Sequence, residues 1–175
     1  MIFNPEQSQG SALAKRVTAA HRRTSIIVFA IAFSVGIYIA IGLLILSTTK
    51  PMASSSNNQM QFLIAAGLLA FASIAYRRAQ FGTVRLEVIA TLRGTEGLIK
   101  HFAQTTIIAV AIAEIIGILG LVIVFFGGTT RDVLIIGLVG LAVVFTNYPR
   151  LDPWLKTAKY FDSNLYANET ETNNA

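Results

Sequence analysis

The sequence predicts an all-α, polytopic membrane protein: four transmembrane helices, both termini in the cytoplasm, and a helical cytoplasmic connection between spans two and three. Three observations carry this. The 175 residues are 54% hydrophobic and only 13% charged, against about 25% charged in a soluble domain. Four apolar runs fall at about 24–47, 58–76, 102–126 and 133–148, and a helix of about 20 apolar residues crosses a bilayer. The basic residues are also divided unevenly. Twelve Lys and Arg lie in the N-terminal segment, the 77–104 connection and the C-terminal segment, while the other two connections hold only Lys50 and Arg131. Cytoplasmic loops collect Lys and Arg, so this split puts both termini and the long connection inside.

Residues 1–23 form a basic cytoplasmic segment with Lys15, Arg16, Arg22 and Arg23. Good helix formers from Ser11 to Arg23 are expected to extend the first span downward, and the basic flank can touch anionic lipid heads. His21 is expected to be solvated. Span one is too long for the 7–15-residue apolar region of a secretory signal, so it stays as an anchor. Gly36 and Ala40 make a small-xxx-small pair that permits close helix contact. A polar connection with Pro51 leads to span two, which stops at Tyr76, Arg77 and Arg78. In the 77–104 connection Val84, Val88 and Leu92 share one helical face, Gly94 breaks the helix, and Thr95 can cap the next one. His101 lies near the membrane surface. Gly127 to Asp132 is a tight turn. Span four carries Gly137 and Gly140 and stops before Pro149. Trp154 is expected as an interface anchor. The membrane domain covers 24–160, and the polar tail 161–175 is expected to be disordered. Its sequon at Asn168 is discounted because the topology places it in the cytoplasm.

Function turns on one residue. Glu114 is the only ionisable group within span three and sits at its middle. A carboxyl at mid-depth is costly and is by default a functional-site candidate. No Lys, Arg or His lies inside any span, so burial favours its neutral, protonated form. Neighbours on its own helix, among them Ala111 and Gly117, cannot satisfy it. Spans one and three run in the same direction, which puts Ser34 and Tyr38 near its depth as candidate hydrogen-bond partners. Gly117, Gly120, Gly137 and Gly140 are the other expected helix-packing positions.

Residues 111–122, AIAEIIGILGLV, resemble the carboxylate helix of the c-subunit (proteolipid) family of rotary ATP synthases, and the likeness lies mainly within 105–126. In that family an embedded acid is followed six and seven positions on by Gly and Leu. Here Glu114 is followed by Gly120 and Leu121, and a polar connection with Glu96 and Gly97 precedes the helix. The resemblance implies that Glu114 is a reversible proton or cation carrier in a membrane ring. The chain departs from the family in having only Gly67 within 62–76, in lacking an Arg-Gln-Pro loop, and in carrying two further spans. Its layout is similar to that of four-helix bacterial membrane proteins, which implies a multi-pass protein of a bacterial inner membrane.

No cysteine is present, which excludes disulfides and thiol chemistry. The sequence has no phosphate-binding loop, no serine–histidine–aspartate set and no metal-ligand spacing, so neither enzymatic activity nor a cofactor is expected. The net charge of +5 sits in topological positions and does not imply nucleic acid. The expected partners are the lipid bilayer and other membrane subunits or copies of the chain. The leading reading is a structural or accessory subunit in which protonated Glu114 holds helix contacts. The alternatives are a proton or cation carrier and a small transporter.

Overall fold

The computed structural model describes the backbone of residues 5–48 and 56–172 and the side chains of 11–48 and 59–163. The described chain is helical, without a strand. Its elements are α1 (Pro5–Thr48), α2 (Ser56–Gln80), α3 (Thr83–Val122), a 3₁₀ turn (Ile123–Phe126), α4 (Thr130–Thr146) and α5 (Leu151–Thr172). Four helical stretches are long and apolar enough to cross a membrane: Ser11–Thr48, Gln59–Gln80, Thr83–Phe126 and Thr130–Ser163. The last is interrupted at 147–150, between α4 and α5.

The chain runs up, down, up and down, and α5 then folds back on the starting end. At that base, His101 Nε2 lies 3.1 Å from the Gln80 carbonyl, and Thr95 Oγ1 donates to Asp162 at 2.8 Å. At the opposite end the rings of Phe62 and Phe126 are 5.3 Å apart, and the Gln59 amide donates to the Gly127 carbonyl at 3.2 Å. The twelve basic residues grouped above all belong to basal segments, whereas Arg131 stands at the other end. Lys50 and the rest of 49–55 lie outside the described residues.

Local chemistry explains the joints. Gly94 adopts φ 63°, ψ −172° inside α3, a region that glycine alone occupies readily, and it bends the helix where the sequence predicted a break. Thr95 spends its hydroxyl on Asp162 rather than on a cap. Gly127 ends the 3₁₀ turn at φ 79°. Thr129 then caps α4: its hydroxyl accepts from the Asp132 amide, and the Asp132 carboxylate accepts from the Thr129 amide at 2.8 Å. This reciprocal box satisfies two of the donors a helix start leaves open.

Two hydrophobic clusters stack along the bundle. The upper one is aliphatic, built on Val28, Val110, Ala113, Ile116, Ile123, Val133, Ile136 and Val144. The lower one joins α1, the start of α3 and α5 through Leu13, Val17, Leu86, Leu98, Phe102, Trp154 and Ala158. Trp154 was expected at a lipid interface. It is 3% exposed and packs against Phe102, with ring centroids 5.5 Å apart. His21, expected in solvent, meets the Trp154 ring edge-on at 5.7 Å, and its Nε2–H donates to the Pro149 carbonyl at 3.0 Å. Residues 161–172, within the tail expected to be disordered, continue α5. The described side chains of α5 turn Trp154, Ala158 and Phe161 toward the lower cluster. Residues 173–175 lie outside the described residues.

Candidate functional site

Glu114 stands on α3, 13 residues above His101, or about 20 Å of helix rise. A similar length separates it from the top of the bundle, so it is at mid-depth. Its side chain is half-buried, in the groove between α1 and α3. Across that groove the Tyr38 hydroxyl donates to Glu114 Oε1 at 3.3 Å. Parallel helices give this match in depth, because Tyr38 and Glu114 occupy equivalent heights on α1 and α3. Ser34, the other candidate partner, makes no hydrogen bond to Glu114 among the described residues. Glu114 Oε2 likewise has no hydrogen bond among them.

The groove is shaped by small residues beside the acid. A Cβ on Gly117 would sit 3.0 Å from Val35 Cγ2 and 3.3 Å from the Tyr38 ring. A Cβ on Gly140 would sit 3.3 Å from the Ala113 carbonyl and 3.4 Å from the Gly117 nitrogen. α1, α3 and α4 therefore close together within one turn of Glu114. Gly120 approaches Ile136 and the Gly137 backbone, and a Cβ on Gly137 would overlap the Ile39 side chain. These four glycines meet neighbouring helices. Gly36 and Ala40 do not: a Cβ on Gly36 meets nothing within 4 Å, and Ala40 is exposed. Gly42 takes their place at the contact, 3.0 Å in the same sense from Val133. Small residues at four-residue spacing show that a face could pack closely, not which face does.

A second polar site lies nearer the base. Ser73 and Asn147 are fully buried. The Ser73 hydroxyl donates to the Ala109 carbonyl at 2.9 Å. The Asn147 amide donates to Ser73 Oγ at 3.1 Å and to the Val143 carbonyl at 2.8 Å. Arg77 reaches in from the end of α2 and donates to the Thr146 carbonyl at 2.5 Å and to Asn147 Oδ1 at 3.5 Å. This network ties α2, α3 and α4 together and satisfies the carbonyls at the end of α4. The sequence places Ser73 and Asn147 at a similar depth, but only the fold shows that they meet. Arg77, read as a topology signal, is also a structural donor.

Among the described residues no group of three or more His, Cys, Asp or Glu side chains could hold a metal ion. The chemistry available at mid-depth is that of one carboxyl and one phenol, able to share or pass a proton or to hold two helices together. No protein-family model, curated protein or solved structure matches the chain.

Proposed function

We propose that the protein is a multi-pass membrane protein, with its termini and basal cluster on the cytoplasmic side, that serves as a structural or accessory subunit of a membrane assembly. The observation that carries this reading is the Tyr38–Glu114 hydrogen bond at mid-depth, beside the glycine contact of three helices. In lipid the hydrophobic effect does not draw helices together. Close packing of small residues and interhelical hydrogen bonds do, at about 0.6–1.7 kcal/mol per bond. A protonated Glu114 accepting from Tyr38 is such a fastening.

Membrane insertion is supported by the outside of the upper bundle. Phe29, Phe33, Leu44, Leu68, Phe71 and Phe145 are all exposed there, and large apolar side chains exposed in this number suit a lipid surround better than water. The basic residues gather at one end, as the cytoplasmic side requires.

A second reading has one specific observation in its favour. Glu114 is half-buried rather than sealed, and among the described residues Oε2 has no hydrogen bond. A carrier of protons or monovalent cations needs an acid that can be reached. The test is Glu114→Gln in the full chain, read by the mass of the particle in mild detergent and by proton flux into vesicles. Unchanged mass and no flux in either form support the fastening reading. Flux in the parent that is lost in Glu114→Gln overturns it in favour of the carrier.

A further inference from the structure

The first segment of α3, residues 83–93, has a face that the bundle does not use. It is bounded by Gly82, extended at φ −61°, ψ 137°, and by the bend at Gly94, so it is a short helix with a joint at each end. On one side Leu86 is buried in the lower cluster, and Ala90 beside it is also buried. On the opposite side Val84, Val88 and Leu92 form a stripe at four-residue spacing, exposed to 74%, 49% and 78%. Three aliphatic side chains this open, on the segment before the bend at Gly94, are poorly placed in water.

The surroundings say what would cover them. On the helical wheel the stripe is flanked by Arg85 on one edge and by Thr91 and Glu87 on the other. Glu87 turns toward a cleft of about 770 Å³ shared with Lys156 and Tyr160 of α5, away from the arginine edge. Arg85 is exposed, as is Arg78 in the last turn of α2. Over 77–101 five basic residues face two acidic ones. The contact of His101 with Gln80 and the stacking of Phe81 on Phe102, at 5.5 Å, tie this segment to the basal ends of α2 and α3. That is the level at which a bilayer crossed by those helices presents its headgroups.

We propose that residues 83–93 form a membrane-surface helix, with Val84, Val88 and Leu92 in the interfacial layer and Arg78 and Arg85 on the phosphates of anionic lipids. The combination is that of an interfacial amphipathic helix, an apolar face beside basic side chains. This inference rests on the membrane reading above and goes beyond it by naming the lipid chemistry this end of the protein recognises.

The absence of cysteine makes the test direct. The full chain is reconstituted in nanodiscs of phosphatidylcholine, with or without phosphatidylglycerol. A single environment-sensitive fluorophore is placed at Val88→Cys, at Leu68→Cys midway along α2, or at Lys159→Cys on the exposed side of α5. Quenching by neutral acrylamide is then measured. The expected result is at least fivefold weaker quenching at 88 than at 159 in phosphatidylglycerol. At least half of that protection should be lost in pure phosphatidylcholine or when Arg78→Gln and Arg85→Gln are combined. If position 88 is quenched like 159 while 68 is protected, the surface helix is overturned and membrane insertion stands. If all three positions are quenched alike, the membrane reading itself fails. Protection at 88 that ignores lipid charge and follows the fraction of dimer in the sample assigns the stripe to a second copy and also overturns the proposal.

Discussion

The upper and lower clusters are held together in different ways. The upper one is built from Val, Ala and Ile with glycines at the helix contacts, and it contains no aromatic side chain among its fully buried members. The lower one turns on a chain of rings, Phe81 on Phe102 on Trp154 on His21. The contrast follows from the two solvents the proposal assigns them. In lipid, burying a large ring gains little, since the medium is as apolar as the core, and stability comes from close approach and shared hydrogen bonds. In water, aromatic burial is the strongest driving force a short helical segment can use. One chain therefore carries two packing regimes, separated near the level of Phe102.

The sharpest way to break this contrast is Trp154→Ala. It removes the largest ring from the lower cluster and should cost about 3–5 kcal/mol. The loss should appear as protease cleavage of α5 at low enzyme concentration, with the upper helices still intact by circular dichroism. Gly137→Val comes next. Its side chain would run into Ile39, and overpacking of this kind costs about 1–3 kcal/mol, seen as a lower midpoint of thermal unfolding in detergent. Asn147→Ala leaves Ser73 and Arg77 short of a partner and should cost about 1–3 kcal/mol by the same measurement. Tyr38→Phe tests the weaker polar site. Losing one 3.3 Å bond should cost about 0.6–1.7 kcal/mol, and in a double-mutant cycle with Glu114→Leu, which removes the acceptor, the double change should cost less than the sum of the two single ones. Full additivity would mean that the pair does not hold α1 to α3. Gly36→Ala closes the series. With open space around that position the change should be neutral or stabilising by up to about 1 kcal/mol, whereas Gly117→Ala at the groove should destabilise.

Much of this was legible in the residues because it is local. Apolar run lengths set the four helices, Gly94 and Gly127 marked the joints, and the depth of Glu114 on a helix parallel to span one nominated Tyr38. What escaped notice is non-local. Trp154 read as an interface anchor because a lone Trp beyond a span end is usually that. Its burial needs α1, α3 and α5 to meet, which no periodicity within 150–160 encodes. His21 was assigned to solvent for the same reason: its acceptor, Pro149, is 128 residues away. The Ser73–Asn147–Arg77 network joins residues 70 and 74 positions apart, and in the sequence its arginine looks like a topology signal alone. The choice between Gly36 and Gly42 as the contact position depends on the rotation of α1 about its axis, which is set by its neighbours.

Gly94 has a bearing on all of this. One backbone unit, in a conformation barred to every side-chain-bearing residue except at a penalty, sets the heading of the stretch that carries Val84, Val88 and Leu92 relative to the shaft that carries Glu114. Below that bend, α3 is anchored through Leu86 in the lower cluster; above it, the shaft packs against α1, α2 and α4. The two parts of α3 thus take their headings from different neighbours, and Gly94 accommodates the angle between them.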